Sequence, residues 1–313
     1  MAVVIPSWNS VQLLPRCLDS LAAQDLPLEL LVVDNGSSDG TLELLAERGV
    51  EHVSLPRNVG FAAAVNLGVA RVAAGSVLVL NADTVLEPGC ARLLAAALAA
   101  DPGLGGVQPR ILQLEEGRER DLAAARLYSA GMALSADGRA FEEGAGEAQG
   151  LLSATPREIF GACGAACLLR RELFDCLGGY DERYFAFYED VDLNVRAQIA
   201  GWSFGYVPGA VVWHLGNASW SVGFARPSAE NARLVARNRA ATQVKFMPAG
   251  ALPRVLLVEL GALARAARQR RLRATLAGKL SALRWLPALL GERRQLRRGG
   301  DPGRARRWLG MKG

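Results

Sequence analysis

No uncharged apolar stretch in these 313 residues approaches the roughly 18 that a membrane span needs. Nor does a basic-then-apolar leader precede the first strand-like run, Ala2-Val3-Val4-Ile5. The expectation is a protein neither exported nor membrane-spanning. Cysteines are few and odd in number, 5 in all, which argues against a disulfide framework and for a reducing, cytoplasmic compartment. No internal repeat appears. A chain of this length buries enough surface to fold without metal or disulfide staples, so small-scaffold readings are excluded.

The charge that is present is unevenly spread. The whole chain is +5, but residues 251–313 carry 16 Lys and Arg against 3 Asp and Glu, a net +13 that leaves residues 1–250 at −8. Such a block marks a surface for phosphates, in nucleic acid or in anionic lipid headgroups. Within it Leu272, Leu276, Leu280 and Leu283 form one helical stripe amid Arg265, Arg268, Arg270, Arg271, Arg273, Lys279 and Arg284, with Trp285 and Trp308 as candidates for a headgroup boundary. Two readings stand: a basic amphipathic helix on an anionic membrane, or an appendage packing its Leu face on the rest of the chain or on a second subunit. Nucleic acid is disfavoured, because the tail has no groove-reading motif and the remainder is acidic. The composition divides the chain into residues 1–245 and a basic helical extension over 246–313.

Before that boundary, short apolar runs alternate with helical patterns. Val3–Ile5, Leu28–Val33 and Val77–Leu80 read as strands buried on both faces; Val11 to Ala22, Leu42 to Ala46 and Cys90 to Ala100 read as helices between them. Strand-helix alternation predicts an α/β domain with a mostly parallel sheet, whose ligands lie beyond the carboxyl ends of the strands. Residues 115–150 lapse into charge and glycine and read as a surface excursion. A close-packed strand is expected within Ile159–Leu169, then a helix from about Glu189 to Ala200 closed by Gly201.

The strand ends are polar. Ile5-Pro6-Ser7-Trp8-Asn9 ends the first, and Val33-Asp34-Asn35-Gly36-Ser37-Ser38-Asp39-Gly40-Thr41 the second. A carboxylate such as Asp34 at a crevice can accept from a base N–H or a ribose hydroxyl; equally, the segment can be a plain turn capped by Asp39 or Thr41. Asn58 and Gly60 precede a helix that contains Asn66. Asn81-Ala82-Asp83 directly follows the Val77–Leu80 strand, where a carboxylate suits a hard divalent cation whose other ligands are diphosphate oxygens, or caps the turn to Pro88-Gly89. Cys163, Cys167, Cys176 and His214 match no zinc spacing, and no zinc is expected.

Taken with Gly161-Ala162-Cys163-Gly164-Ala165-Ala166 and Phe185-Ala186-Phe187-Tyr188-Glu189-Asp190-Val191-Asp192-Leu193, these motifs resemble glycosyltransferase family 2, inverting enzymes of the Rossmann-like GT-A fold, and within it the rhamnosyltransferase-like branch. The resemblance spans about residues 2–245. It implies that Pro6, Ser7 and Asn9 line a nucleotide pocket, that Asp34 accepts from the pyrimidine, and that Asn58, Gly60 and Asn66 sit near base and ribose. Asn81-Ala82-Asp83 takes the position of the family's Asp-X-Asp, so Asp83 holds Mg²⁺ or Mn²⁺ with His214 completing the site, and Asn81 contributes a hydrogen bond. Glu189-Asp190 matches the catalytic pair: Asp190 is the base, and Glu189 and Asp192 orient it or raise its pKa. Read without the family, the same acids merely favour a helix N-terminus.

The implied activity is transfer of a sugar, rhamnose from dTDP-rhamnose first, to a cell-envelope glycan or lipid-linked acceptor at the inner face of the cytoplasmic membrane. Two alternatives remain: a UDP-sugar donor, or a non-catalytic nucleotide-sugar or glycan-binding protein. A sugar-phosphate nucleotidyltransferase is disfavoured because the first strand lacks a Gly-rich basic phosphate loop.

Overall fold

The structure, a computed structural model, describes residues 1–115, 120–148, 154–216 and 228–309. Parts of the charged excursion and the Asn217-Ala218-Ser219 run beside His214 lie outside these residues. The strands are β1 (Ala2–Ser7), β2 (Glu29–Asp34), β3 (His52–Ser54), β4 (Ser76–Leu80), β5 (Thr84–Leu86), β6 (Leu104–Gln113), β7 (Leu127–Ser129), β8 (Met132–Leu134), β9 (Ala140–Glu142), β10 (Arg157–Ile159), β11 (Ala166–Arg170) and β12 (Ser203–His214). The main sheet runs β10-β12-β6-β11-β4-β1-β2-β3, with β5 on β12 and β7 on β6, while β8 and β9 form a separate hairpin.

From β3 to β4 the sheet is parallel, as the alternation predicts. At β11 the direction reverses, since β11 runs antiparallel to both β4 and β6. Along β1, Val3 and Ile5 join one core and Ala2 and Val4 the other, so both faces are covered. Helices α1 (Leu14–Ala22) and α4 (Cys90–Ala100) pack on the first face, and α3 (Phe61–Arg71) on the second. Gly68 lets α3 lie against the sheet, because a Cβ there would meet Val4 Cγ1 at 2.4 Å.

The excursion is not a surface detour. Leu127, Met132 and Leu134 are buried in the cores, and β7 extends the main sheet. Three-residue strands among glycines and acids are too short for a periodicity to show.

After α2 (Thr41–Glu47) and α5 (Arg171–Leu177), helix α6 (Glu189–Ala200) ends on Gly201 in the left-handed conformation, as expected. Helix α7 (Ala229–Phe246) crosses the expected boundary at 245 and carries the extension, which comprises α8 (Leu252–Arg268), α9 (Leu272–Ala282), α10 (Leu286–Gly299) and α11 (Pro302–Arg306). Small residues dock α9: a Cβ on Gly278 would lie 2.2 Å from the Arg233 carbonyl oxygen. Its leucine stripe turns away from the domain, with Leu280 64% and Leu283 59% exposed. The expected headgroup tryptophans are engaged elsewhere. Trp308 is buried against Phe160, and Trp285 packs beneath the Arg237 guanidinium beside Tyr184.

Candidate active site

The polar ends of β1, β2 and β4 line up along one edge of the sheet. Ser7 and Asp34 are register partners, and both are buried. Asp34 Oδ2 accepts from Ser37 N–H at 3.1 Å, while Asp34 Oδ1 and Ser7 Oγ have no partner. An unsatisfied buried carboxylate oxygen is costly, and it is a ready acceptor for a ligand N–H. Asp39, not Asp34, serves the turn: it accepts from Val11 N–H, Thr41 N–H and the Thr41 hydroxyl. The turn reading is thus realised by Asp39, while Asp34 Oδ1 stays without a protein partner.

Other implied pocket residues brace the loops. Asn9 is exposed, with φ 51°; its N–H donates to Ser37 Oγ and its Oδ1 accepts from Ser38 N–H. Pro6 lies on β1 opposite Val33. Asn58 Oδ1 accepts from Gly60 N–H at 2.9 Å and from Asn35 Nδ2 at 3.1 Å. Asn35 also accepts from Val59 N–H and donates to the Gly60 carbonyl, so it fixes the Asn58–Gly60 loop from beside Asp34. Asn66 is committed elsewhere: its amide clamps both backbone groups of Tyr180 and donates to Glu182.

At the end of β4, Asp83 Oδ1 lies 3.2 Å from His214 Nε2, and Asn81 Nδ2 lies 3.3 Å from the same nitrogen. The edge of Tyr128 meets the His214 ring, whose Nδ1 is buried without a partner. Burial opposes ionisation of Asp83, but His214 and the N–H groups of Asp83 and Gly216 outweigh it and hold the carboxyl below its usual range. Among the described residues no third His, Cys, Asp or Glu joins them. A hard carboxylate oxygen beside an imidazole nitrogen is a donor pair that fits a divalent cation with two protein ligands. Cys163 and Cys167 are buried in the cores, and Cys176 is exposed.

Asp190 opens α6. Its Oδ2 accepts from Gly164 N–H at 3.0 Å and its Oδ1 from Val191 N–H at 2.7 Å. The neighbouring Ala165 carbonyl accepts from Asn81 N–H at 2.9 Å, which ties the Asp190 cradle to the Asp83 strand end. Burial raises the Asp190 pKa, and the N–H groups of Gly164, Val191 and Asp190 offset only part of that rise. Glu189 is pushed well above the carboxylate range by burial and then by Asp190, and its Oε2 is buried without a partner. Asp192 does not face this site. It is enclosed by Arg196 and Lys245, each at 2.6 Å, so its charge is spent on packing α6 against α7.

The turn into α6 is strained, with Phe185, Phe187 and Tyr188 at φ 65°, 68° and 69°. Fully buried Asn238 on α7 holds it, donating to the carbonyls of Tyr184, Ala186 and Phe187 at 2.9, 2.7 and 2.7 Å. Sequence reasoning missed Asn238, and no motif marks it. It also missed Glu142 on β9, which accepts from Ser129 Oγ at 2.6 Å and interacts with Asp190 and Cys163.

Residues 2–178 match the model for "Glycosyl transferase family 2". The N-acetylglucosaminyl-diphospho-decaprenol L-rhamnosyltransferase of Mycobacterium tuberculosis is 31% identical over 231 residues, covering 68% of this chain and 75% of the relative. An N-acetylglucosaminyltransferase of Azorhizobium caulinodans is 27% identical, over 67% of this chain and 53% of its own length. Among solved structures, GalNAc-T7 with UDP, GalNAc and Mn²⁺ superposes with TM-score 0.58 at 18% identity, covering 78% of this chain and 49% of that one. S. aureus TarS 1-349 in complex with UDP-GlcNAc superposes with TM-score 0.52 at 14% identity, covering 90% and 91%. At these identities the likeness is one of fold.

Proposed function

The chain belongs to glycosyltransferase family 2, and from that premise we propose that it transfers rhamnose, with inversion, from dTDP-rhamnose to a hydroxyl of a lipid-linked cell-envelope glycan. The observation that carries the chemistry is the half-buried carboxylate of Asp190, gripped by Gly164 N–H one peptide from the strand end that bears Asp83. Sugar and acceptor class come from the mycobacterial relative.

Each group then has a task. Asp34 Oδ1 accepts the imide N–H of a pyrimidine, with Ser7 Oγ beside it. Since β1 lies between β2 and β4, the β4 end stands two strand spacings from Asp34, roughly 10 Å, a span suited to a nucleoside and its diphosphate. A Mg²⁺ or Mn²⁺ held by Asp83 and His214 would neutralise charge on the departing diphosphate. Asp190 takes the acceptor hydroxyl proton as that oxygen bonds to the anomeric carbon and the bond from that carbon to the diphosphate breaks. Its raised pKa makes it a stronger base than a free aspartate. A UDP-sugar is the second reading, because uracil and thymine present the same N–H to Asp34.

The enzyme meets its acceptor at an anionic membrane through α8 and α9. Glu259 pairs with Lys279 across the two helices. Leu256 and Leu260 flank Glu259 as Leu276 and Leu280 flank Lys279, at positions −3 and +1, so two leucine rows border one seam. Leu256, Leu257 and Leu260 are 56%, 71% and 65% exposed, and Arg254, Arg265 and Arg268 are exposed on the same helix. Exposed leucines rimmed by arginine suit an acyl boundary under anionic headgroups. Among the described residues, no helix is long and apolar enough to cross a membrane.

A thermal-shift panel of nucleotide sugars with Mg²⁺ or Mn²⁺, followed by transfer to N-acetylglucosaminyl-diphospho-polyprenol, tests the proposal. A ligand that binds the folded state raises its melting temperature. A shift with a UDP-sugar and none with dTDP-rhamnose would replace the donor, and no transfer from any donor would overturn the reading.

A further inference from the structure

One buried polar chain near Asp190 has no part in the chemistry so far described. Gln108 on β6 and Ser129 on β7 are both fully buried. Gln108 Nε2 donates to Ser129 Oγ at 2.9 Å, and Ser129 Oγ donates to Glu142 Oε2 at 2.6 Å. At the other end, Gln108 Oε1 accepts from Cys163 N–H at 2.7 Å. The next amide, that of Gly164, is the one that grips Asp190 Oδ2 at 3.0 Å. A Cβ on Gly164 would lie 3.3 Å from that oxygen, so the peptide is set directly against the carboxylate.

Burying a glutamine and a serine in a sheet costs free energy unless every polar group is satisfied, and a satisfied network fixes one geometry. Here both amide ends of Gln108 are used, one on the Cys163 peptide and the other, through Ser129, on Glu142. Glu142 reaches Ser129 because the β8–β9 hairpin sets it opposite Met132, three residues past Ser129. The hairpin is itself anchored: Arg157 donates to the Ala130 carbonyl and to Glu143.

We infer that Glu142 is a positioning residue for the transfer: through Ser129 and Gln108 it fixes the Ala162–Cys163 peptide, and so the next amide along the chain, the Gly164 N–H that holds Asp190 towards the acceptor. This rests on Asp190 being the base. The groups that face Asp190 are Glu189 on its own helix, Cys163 and Cys167 around β11, Tyr180, Tyr128 on β7 and Glu142 on β9, while Asp192 is neutralised by Arg196 and Lys245. Burial, with the Asp190 charge next among the raising influences, pushes Glu142 up to about 8. Below about pH 8 Glu142 is therefore a neutral acid. The Gly164 N–H bond lowers the Asp190 pKa, so loosening that amide must raise it.

The test follows the Asp190 carboxyl by carbon-13 NMR titration of the full-length, aspartate-labelled protein, its resonance assigned with Asp190→Asn, alongside kcat against pH. Glu142→Ala and Ser129→Ala are expected to raise the apparent pKa of Asp190. They should move the acid limb of kcat the same way and lower kcat several-fold, with the donor KM unchanged. Glu142→Gln keeps an acceptor for the Ser129 hydroxyl and mimics neutral Glu142, so it should restore the wild-type titration. An Asp190 titration unmoved in both Glu142→Ala and Ser129→Ala, or a Gln variant displaced as far as the Ala variant, would overturn the inference. The NMR titration reads the relay even in a protein that transfers no sugar, so a failure of the relay is distinguished from a failure of the transferase reading.

Discussion

Asp190 and Glu189 are adjacent acids with different surroundings. Asp190 has two N–H donors and keeps an exposed edge; Glu189 is 6% exposed, with one oxygen unpartnered. Asp190→Asn should lower kcat by about 10²–10⁴-fold, as loss of a general base does, while donor-induced thermal shifts persist. Because the base must be ionised and its pKa is raised, activity should fall as pH drops, with the acid limb of kcat/KM lying above that expected for a free aspartate. Glu189 has a linked effect on stability. Its pKa is higher folded than unfolded, so ionisation favours the unfolded chain and stability falls as pH rises from the unfolded value through the folded one. Glu189→Gln should therefore melt higher than wild type at neutral pH, by roughly 2 °C or more, and this difference should vanish in acid. Asp34, Asp83 and Asp190 were legible from the sequence because each follows a recognisable strand or opens a patterned helix. The engagement of Asn66 was not: Tyr180, its partner, is distant in sequence and carries no motif that points back.

The turn before α6 and the helix that restrains it form one functional element. Three positive φ angles in four residues are unfavourable without outside support, and Asn238 supplies it, sharing its two amide hydrogens among three carbonyls. Asn238→Ala should cost about 2–3 kcal/mol in denaturant unfolding, because buried carbonyls lose their donor. It should also lower kcat more than donor binding, since Asp190 follows directly on the turn. Long buried strands and the α6 helix were visible as apolar runs and caps. The β7–β9 segment was not, because its strands have three residues each and its apolar positions are separated by glycine and glutamate.

At the scale of the whole molecule, an acidic α/β domain carries a basic helical layer that exposes leucines along α8 and α9. Leu257→Asp with Leu260→Asp should abolish co-sedimentation with vesicles containing anionic lipid, while donor-induced thermal shifts remain, because α8 lies outside the nucleotide edge. Binding by wild type should weaken as salt rises, since each arginine near the surface contributes about 1 kcal/mol that ions screen. The charge division at residue 250 and the leucine stripe can be read from composition and helical spacing, but which face of α9 is buried cannot. Gly278 against the Arg233 carbonyl decides that, by allowing a closer approach than leucine would. By itself the sequence determined the strand-helix alternation, the polar strand ends and the family, because these depend on local pattern and nearby spacing. Only the tertiary structure decided which polar groups remain unsatisfied. It left Asp34 Oδ1 open, spent Asn66 and Asp192 on packing and brought Glu142 to Asp190, since hydrogen-bond satisfaction depends on partners far apart in the chain.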